Sequence, residues 1–422
     1  MTDARLPVSA PRPSPLSARA WRVGHRLTRS RLDLLLRARP AASYPVERGR
    51  FRAMGLPDDA VESALRHVRS IAGWDAAWTR VAQGFLAEAR RLGSEERPLA
   101  VATARRHAAL LYHVAQLLAF DDPKKVRALR ASATTLFAKS LPALMPAATR
   151  VDPAWRASSL PGYLIRSERG PRPTPLAVIL NGSSTAKEET LLWSAAFLDH
   201  GIAVLALDWP GTGETTPTMR ASADCEDLTD GVLAFAKEDP GLDERRVALL
   251  GCGLGGALAV RCAAFDRRIA AAVAVTAPYD ATPWLASANP LAVEQLAALA
   301  GGADALVDLA SGFALPEIGR RLRCPLLVVG AAGDLLVPPS ESVRLARAVG
   351  ELGTLVWFPE GGHGLYGAVD EWTEDAARWL GAVLDHPAHG KSTGVDTHGH
   401  QTLPAPAAAR EGKTADATFD MT

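Results

Sequence analysis

The sequence predicts an α/β protein: a mostly parallel sheet with helices on both faces, preceded by an N-terminal helical cap. Three observations carry that expectation. From about residue 150, short apolar runs alternate with helical patterns, as in strand–helix–strand units. Residues 57–148 show helical periodicity alone. Third, the apolar run Val247-Ala248-Leu249-Leu250 ends in a glycine-rich turn, Gly251-Cys252-Gly253-Leu254-Gly255-Gly256, which opens a small-residue helix.

Composition limits the rest. The chain has 422 residues, is 48% hydrophobic and carries a formal net charge of +1. That length suffices for a full α/β core and a smaller domain. The charge balance gives no global pull toward nucleic acid or anionic membranes. No run of about 18 apolar residues predicts a membrane span, and no signal-peptide core follows the N-terminus. Cys225, Cys252, Cys262 and Cys324 are scattered without metal spacing. They read as packing residues and fit a reducing cytoplasm.

Residues 1–45 are rich in proline and arginine. Through Arg52 there are twelve arginines against Asp3, Asp33 and Glu47. This stretch reads as a basic, partly disordered leader that packs a short helix over 32–36 on the body, rather than as a nucleic-acid arm. Residues 46–148 form the expected cap. Pro57-Asp58-Asp59 opens a helix with Val61, Leu65, Val68 and Ile71 on one stripe. Trp74, Trp78, Val81 and Phe85 mark a second, which ends at Gly93. Leu110, Leu111, Val114, Leu117 and Leu118 mark a third. Asp122-Pro123 caps a fourth, with Val126, Leu129, Ala133, Leu136 and Phe137 inward. No fixed period supports a helical repeat array. His113, on the third helix, reads as a satisfied packing histidine.

Residues 149–385 form the expected core. Strands are predicted over 158–165 (an edge strand), 176–180, 202–208, 246–250, 271–275, 325–329 and 354–358. Residues 386–422 are poor in large apolar side chains and read as a disordered tail. Its histidines lack the carboxylate or thiol shell of a metal site.

The glycine-rich turn has two readings. One is a dinucleotide fingerprint, which sits on the first strand of its domain with an acid about 20 residues on. Here about 75 residues of α/β pattern come first, by the length of such units, and Ile269-Ala270-Ala271-Ala272-Val273 carries no acid. The other is a nucleophile elbow, G-x-S-x-G, with Gly251 and Gly255 as the flanking glycines. The nucleophile position is then Gly253, and it is vacant. Asp334 follows a strand, and His363 lies in Glu360-Gly361-Gly362-His363-Gly364 after the next one. That is the order nucleophile, acid, histidine. The acid would hold the imidazole tautomer and the histidine would move protons. The oxyanion donors are expected at the amides of Leu254 and Ser183. Gly182, Ser184, Trp209 and Cys252 are expected around the pocket. Cys252 is one residue off the elbow position and is no substitute nucleophile.

With these motifs in place, residues from about 53 to 385 resemble the FrsA-like and 2,6-dihydropseudooxynicotine-hydrolase-like branch of the α/β hydrolases. The resemblance rests on the N-terminal helices, on Tyr112-His113-Val114-Ala115-Gln116 with Phe120-Asp121-Asp122-Pro123, and on Leu160-Pro161-Gly162-Tyr163-Leu164. It continues through Asn181-Gly182 with Lys187-Glu188-Glu189, Asp208-Trp209-Pro210-Gly211-Thr212-Gly213-Glu214, the elbow, Asp334 and His363. It implies the α/β-hydrolase fold with a helical cap over the pocket. It also implies ketone, ester or polyketide-like small-molecule substrates, C–C or ester cleavage, and no cofactor. The chain departs from the branch at Gly253, where the family has serine, and at Trp209, where a small residue is frequent.

Glycine at the elbow removes acyl-enzyme chemistry. It leaves His363 free to act as a base, for elimination, cyclisation or non-covalent cleavage. Two other readings stay open: a pseudo-hydrolase that binds a ligand or partner, and an engineered Ser-to-Gly knockout of a serine hydrolase. Retention of both Asp334 and His363 favours the enzyme. A homodimer is compatible with the sequence; nucleic-acid and membrane partners are not expected.

Overall fold

The computed structural model describes residues 48–385 apart from 289 and 317–319, with helical residues between 30 and 37 and a strand at Leu403–Pro404. The rest of the expected leader and tail lies outside the described residues. Within the leader, residues 30, 31, 33, 34, 36 and 37 are helical. Leu36 is buried there, and the Asp33 carboxylate accepts from the Ile71 amide at 2.7 Å.

Among the described residues, and after the helical ones between 30 and 37, the helices ahead of the sheet are α1 (Arg48–Ala53), α2 (Asp58–His67), α3 (Trp74–Ser94), α4 (Pro98–Ala115) and α5 (Pro123–Leu144). Helix α1 was not anticipated, since six residues with three arginines show no apolar period. Helices α3, α4 and α5 pack consecutively. Trp74 and Trp78 are fully buried between them, with ring centroids 5.0 Å apart, and the Trp74 indole donates to the Val114 carbonyl at 2.8 Å. Asp122 caps α5 as expected, accepting from the Lys124 and Lys125 amides at 3.1 Å each. It satisfies donors that the helix start leaves without intrahelical partners.

Among the described residues, the main sheet has nine strands in the order β1-β4-β6-β5-β7-β8-β9-β10-β11. They are β1 (Ala148–Val151), β4 (Gly162–Ile165), β5 (Thr174–Leu180), β6 (Ala203–Leu207), β7 (Leu242–Cys252), β8 (Ala271–Val275), β9 (Leu326–Ala331), β10 (Gly353–Phe358) and β11 (Leu403–Pro404). From β6 to β10 neighbouring strands run parallel. Strands β5, β6, β8 and β9 are buried along their whole length. Helices cover both faces, so these strands read as continuous apolar runs and not as alternating ones.

The expected edge strand over 158–165 needs correction. Ser158–Ser159 (β3) pairs instead with Ala154–Trp155 (β2) in a small ribbon. Strand β4 lies between β6 and β1, antiparallel to both, and β1 is the true edge. Four half-exposed residues, ATRV, gave no apolar run to mark β1. Leu403–Pro404, placed in the expected disordered tail, pairs antiparallel with β10. Among the described residues, no helix is long and apolar enough to cross a membrane.

This topology brings the carboxyl ends of β7, β9 and β10 to one edge of the sheet. In open α/β sheets ligands bind along that edge.

Candidate active site

Helices α6 (Lys187–Thr190), α7 (Ala195–Asp199) and α8 (Leu228–Glu238) lie between the strands up to β7. Strand β7 ends at Cys252, and helix α9 (Leu254–Phe265) begins one residue after Gly253. Gly253 takes φ 56° and ψ −124°. An L-residue held there is strained by about 1–3 kcal/mol, and glycine is not. The flanking glycines answer a steric demand. A Cβ on Gly251 would lie 2.4 Å from the Gly255 carbonyl carbon, and one on Gly255 would lie 2.2 Å from the Leu180 oxygen. A Cβ on Gly253 would meet only His363, at 3.2 Å from Nε2 and 3.4 Å from Cε1. The side-chain direction at the elbow therefore points at the imidazole.

Asp334 stands at the end of β9 and His363 after β10. His363 Nδ1 donates to Asp334 Oδ2 at 2.9 Å. Asp334 Oδ1 accepts from the Leu336 and Val337 amides, both at 2.8 Å. The carboxylate is thus held by three donors and fixes the imidazole tautomer, leaving Nε2 to face Gly253. Asp334 is buried and His363 half-buried. After His363 the backbone twists, with Gly364 at φ 71° and Leu365 at φ 49°. The Gly364 amide donates to Thr276 Oγ1 at 3.0 Å. Thr276, at the carboxyl end of β8, anchors the histidine loop and was missed in the sequence, where nothing but its position at a strand end marks it.

Ser183, Ser184, Gly253, Leu254 and His363 share the wall of a cavity of about 70 Å³. Leu254 opens α9, so its amide is one of the donors a helix start leaves unpaired. The loop facing it is internally braced. The Gly182 amide donates to Thr185 Oγ1 at 2.6 Å, and Asn181 Nδ2 donates to the Thr185 carbonyl at 2.7 Å. Trp284, Gln295, Leu336 and Val337 are among the other residues of the wall. Trp284 and Gln295 come from α10 (Ala281–Ser287) and α11 (Pro290–Ala300), whose alanine-rich sequence carried no signal of a site. A second cavity of about 140 Å³ lies between cap and core, with Gln116, Phe120 and Arg130 on one side and Ser183, Thr185 and Gln295 on the other.

Three residues expected around the pocket lie behind it instead. Trp209 is fully buried, packs edge-on against Phe313 at 6.2 Å and donates from Nε1 to the Asn181 carbonyl at 2.6 Å. It braces the Ser183 loop from the core. Gly182 is buried, and a Cβ there would lie 3.1 Å from the Cys252 carbonyl oxygen. Cys252 is buried among apolar side chains, and burial pushes its thiol well above the ordinary range. A thiol so raised does not supply a thiolate.

A buried ionic network ties the cap to the core beneath this site. His113 is fully buried. Its Nδ1 accepts from Arg130 at 2.6 Å and its Nε2 donates to Glu189 at 2.9 Å. Burial, together with Arg130, lowers its pKa against the pull of Glu189. Its geometry is that of a satisfied packing histidine. Lys187 Nζ lies 2.7 Å from Glu188, 3.1 Å from Asp208 and 2.7 Å from Glu214. Burial alone would lower its pKa, and the three carboxylates outweigh burial and raise it. Glu188, Asp208 and Glu214 have the mutual spacing of a metal-ligand set. The Lys187 ammonium already supplies the cation there.

The fold is that of the alpha/beta hydrolases, and residues 177–379 match the alpha/beta hydrolase family. The chain is related to 2,6-dihydropseudooxynicotine hydrolase of Paenarthrobacter nicotinovorans, 30% identical over 200 residues that cover 47% of this chain and 54% of that protein. The crystal structure of 2,6-dihydroxy-pseudo-oxynicotine hydrolase superposes with a TM-score of 0.71 at 25% identity, covering 80% of this chain and 96% of that one. Polyketide transferase grgF of Penicillium sp is 36% identical over 131 residues, 29% of this chain and 42% of that protein. By sequence, the chain spans about half the length of these curated relatives, or less.

Proposed function

We propose that the chain is a cofactor-independent enzyme of natural-product metabolism that uses acid–base chemistry without a covalent intermediate. The observation that carries this reading is the empty direction at Gly253, which ends 3.2 Å from His363 Nε2. The base faces the cavity with no nucleophile in between. A substrate carbonyl oxygen would rest on the amides of Leu254 and Ser183, with its α-carbon toward His363. His363 takes the α-proton and Asp334 stabilises the imidazolium. The amides hold the enolate oxygen, a contribution worth about 3 kcal/mol in such holes. The enolate then expels a β-substituent or cyclises, and His363 returns the proton. For C–C cleavage His363 instead takes the proton of a β-hydroxyl, the Cα–Cβ bond breaks to release a carbonyl compound, and the enolate left on the amides is protonated by His363. Ester cleavage by a water activated at His363 uses the same groups. The relatives named for a pseudooxynicotine and for polyketide transfer support a small ketone, ester or polyketide-like substrate.

The test is exchange of α-protons of 2-pentanone in D2O, followed by NMR. The chain is expected to accelerate exchange over buffer and His363→Ala to abolish the acceleration while keeping the fold. Acceleration that survives in His363→Ala, or none in the unaltered chain, contradicts the role of His363 as base.

A further inference from the structure

Helix α1 carries one arginine that touches both halves of the site. Arg50 is 4% exposed, although it lies in a helix of six residues near the start of the described chain. Its guanidinium grips Glu189 in a fork, Nε to Oε1 at 2.8 Å and Nη2 to Oε2 at 2.7 Å. The same group reaches the loop that bears Ser183. Nη2 donates to the Ser184 carbonyl at 2.8 Å and Nη1 to Ser184 Oγ at 3.1 Å. It also stands 5.1 Å from the ring centre of Tyr366, three residues after His363. One residue earlier, Gly49 lies against the backbone of that segment: a Cβ there would come within 2.8 Å of Gly367 Cα and N.

We infer that Arg50 is a positioning residue of the active site, holding the Ser183–Ser184 loop and the His363 segment in register with each other. This rests on the reading of Ser183 as an oxyanion donor and His363 as the base. The two segments follow β5 and β10, which are separated in the sheet by β7, β8 and β9. No strand pairing sets their spacing directly, and α1 spans it. Arginine suits the task because its planar fork serves a carboxylate and two further acceptors at once; lysine keeps the charge without that geometry. Glu189 balances the buried charge. Burial alone would raise its pKa, and the charge of Arg50 with the bonds from His113 and Arg50 holds it low.

A tether that only fastens cap to core would affect stability and nothing else. The experiment therefore reads loop order and chemistry separately. Amide hydrogen exchange is measured on the full chain, unaltered and as Arg50→Met and Arg50→Lys, with Asp122→Ala as a control that weakens the cap without touching either loop. Both Arg50 variants are expected to speed exchange over 182–186 and 363–368 together, and Asp122→Ala to leave both unchanged. In a Gly253→Ser background, Arg50→Lys is expected to lower kcat for p-nitrophenyl acetate at least about tenfold with KM within about threefold, the pattern of a contact made in the transition state. Should Arg50→Met fail to fold, Arg50→Lys decides alone. Unchanged exchange in either segment overturns the proposal, and so does an unchanged kcat beside altered exchange. An inert Gly253→Ser chain would count against the proposed function, and the exchange data would still decide whether Arg50 orders the two loops.

Discussion

Gly253, Asp334 and His363 meet because each ends or follows a strand at the same sheet edge, and each has its own local support. At Gly253 the backbone holds φ 56°. Gly253→Ala is therefore expected to lose about 1–3 kcal/mol of unfolding free energy in urea titration, with its methyl against the imidazole. Gly253→Ser carries the same backbone cost and gains a hydroxyl in reach of Nε2. Asp334→Asn removes the acceptor that fixes the His363 tautomer. In the Gly253→Ser background it is expected to cut esterase kcat by roughly four orders of magnitude, as loss of that partner does in serine triads. An undiminished kcat would show that the 2.9 Å contact does not orient the base. The elbow, Asp334 and His363 were legible because their order and strand-end positions repeat a chemical requirement. Thr276 and Arg50 were not, since each acts through a single hydroxyl or guanidinium whose partners lie far off in sequence. Trp209 read equally as pocket wall or core filler, because an aromatic beside a glycine-rich loop looks the same in either place; it fills the core.

Among the elements, α1 and α5 show how the cap depends on side chains that are not apolar. Asp122→Ala removes both amide contacts at the start of α5 and is expected to cost about 1 kcal/mol, read as a lower midpoint in urea with unchanged slope. Burial of His113 gives the cap a pH dependence. Its folded pKa lies below the ordinary 6.5, so the unfolded chain binds more protons in the window between the two. Stability is then complete above 6.5 and falls as pH drops through that window. Glu188 and Glu189, held low by Lys187, Arg130 and Arg50 against burial, act in the same sense at lower pH. Their contribution is present above the ordinary carboxylate value and lost as pH falls toward their folded values. Asp208, raised first by burial, runs the opposite way. The expectation is that His113→Gln flattens the stability profile below pH 6.5. A profile as steep as that of the unaltered chain would assign the slope to other groups.

For the whole molecule, the parallel core was legible because burial on both faces writes each strand as an unbroken apolar run. Residues 271–275 were bounded as predicted, and β5, β6, β7, β9 and β10 were each found with small shifts at their ends. The antiparallel margin was legible only in part: β4 falls within the strand read over 158–165, and the rest does not. Strand β1 is polar and half-exposed, and the two-residue strands β2, β3 and β11 are too short to show a period. The cap helices were read from their stripes. The cavity between cap and core was not, because it arises from where two separately patterned units meet.

We propose that base, acid and oxyanion donors stand assembled around the vacant nucleophile position at Gly253. The most direct measurement is p-nitrophenyl acetate turnover by the unaltered chain and by Gly253→Ser, with mass spectrometry for an acyl adduct. A burst of p-nitrophenolate and a trapped adduct are expected for Gly253→Ser, and neither for the unaltered chain. A folded Gly253→Ser that forms no adduct and releases no p-nitrophenolate would contradict it.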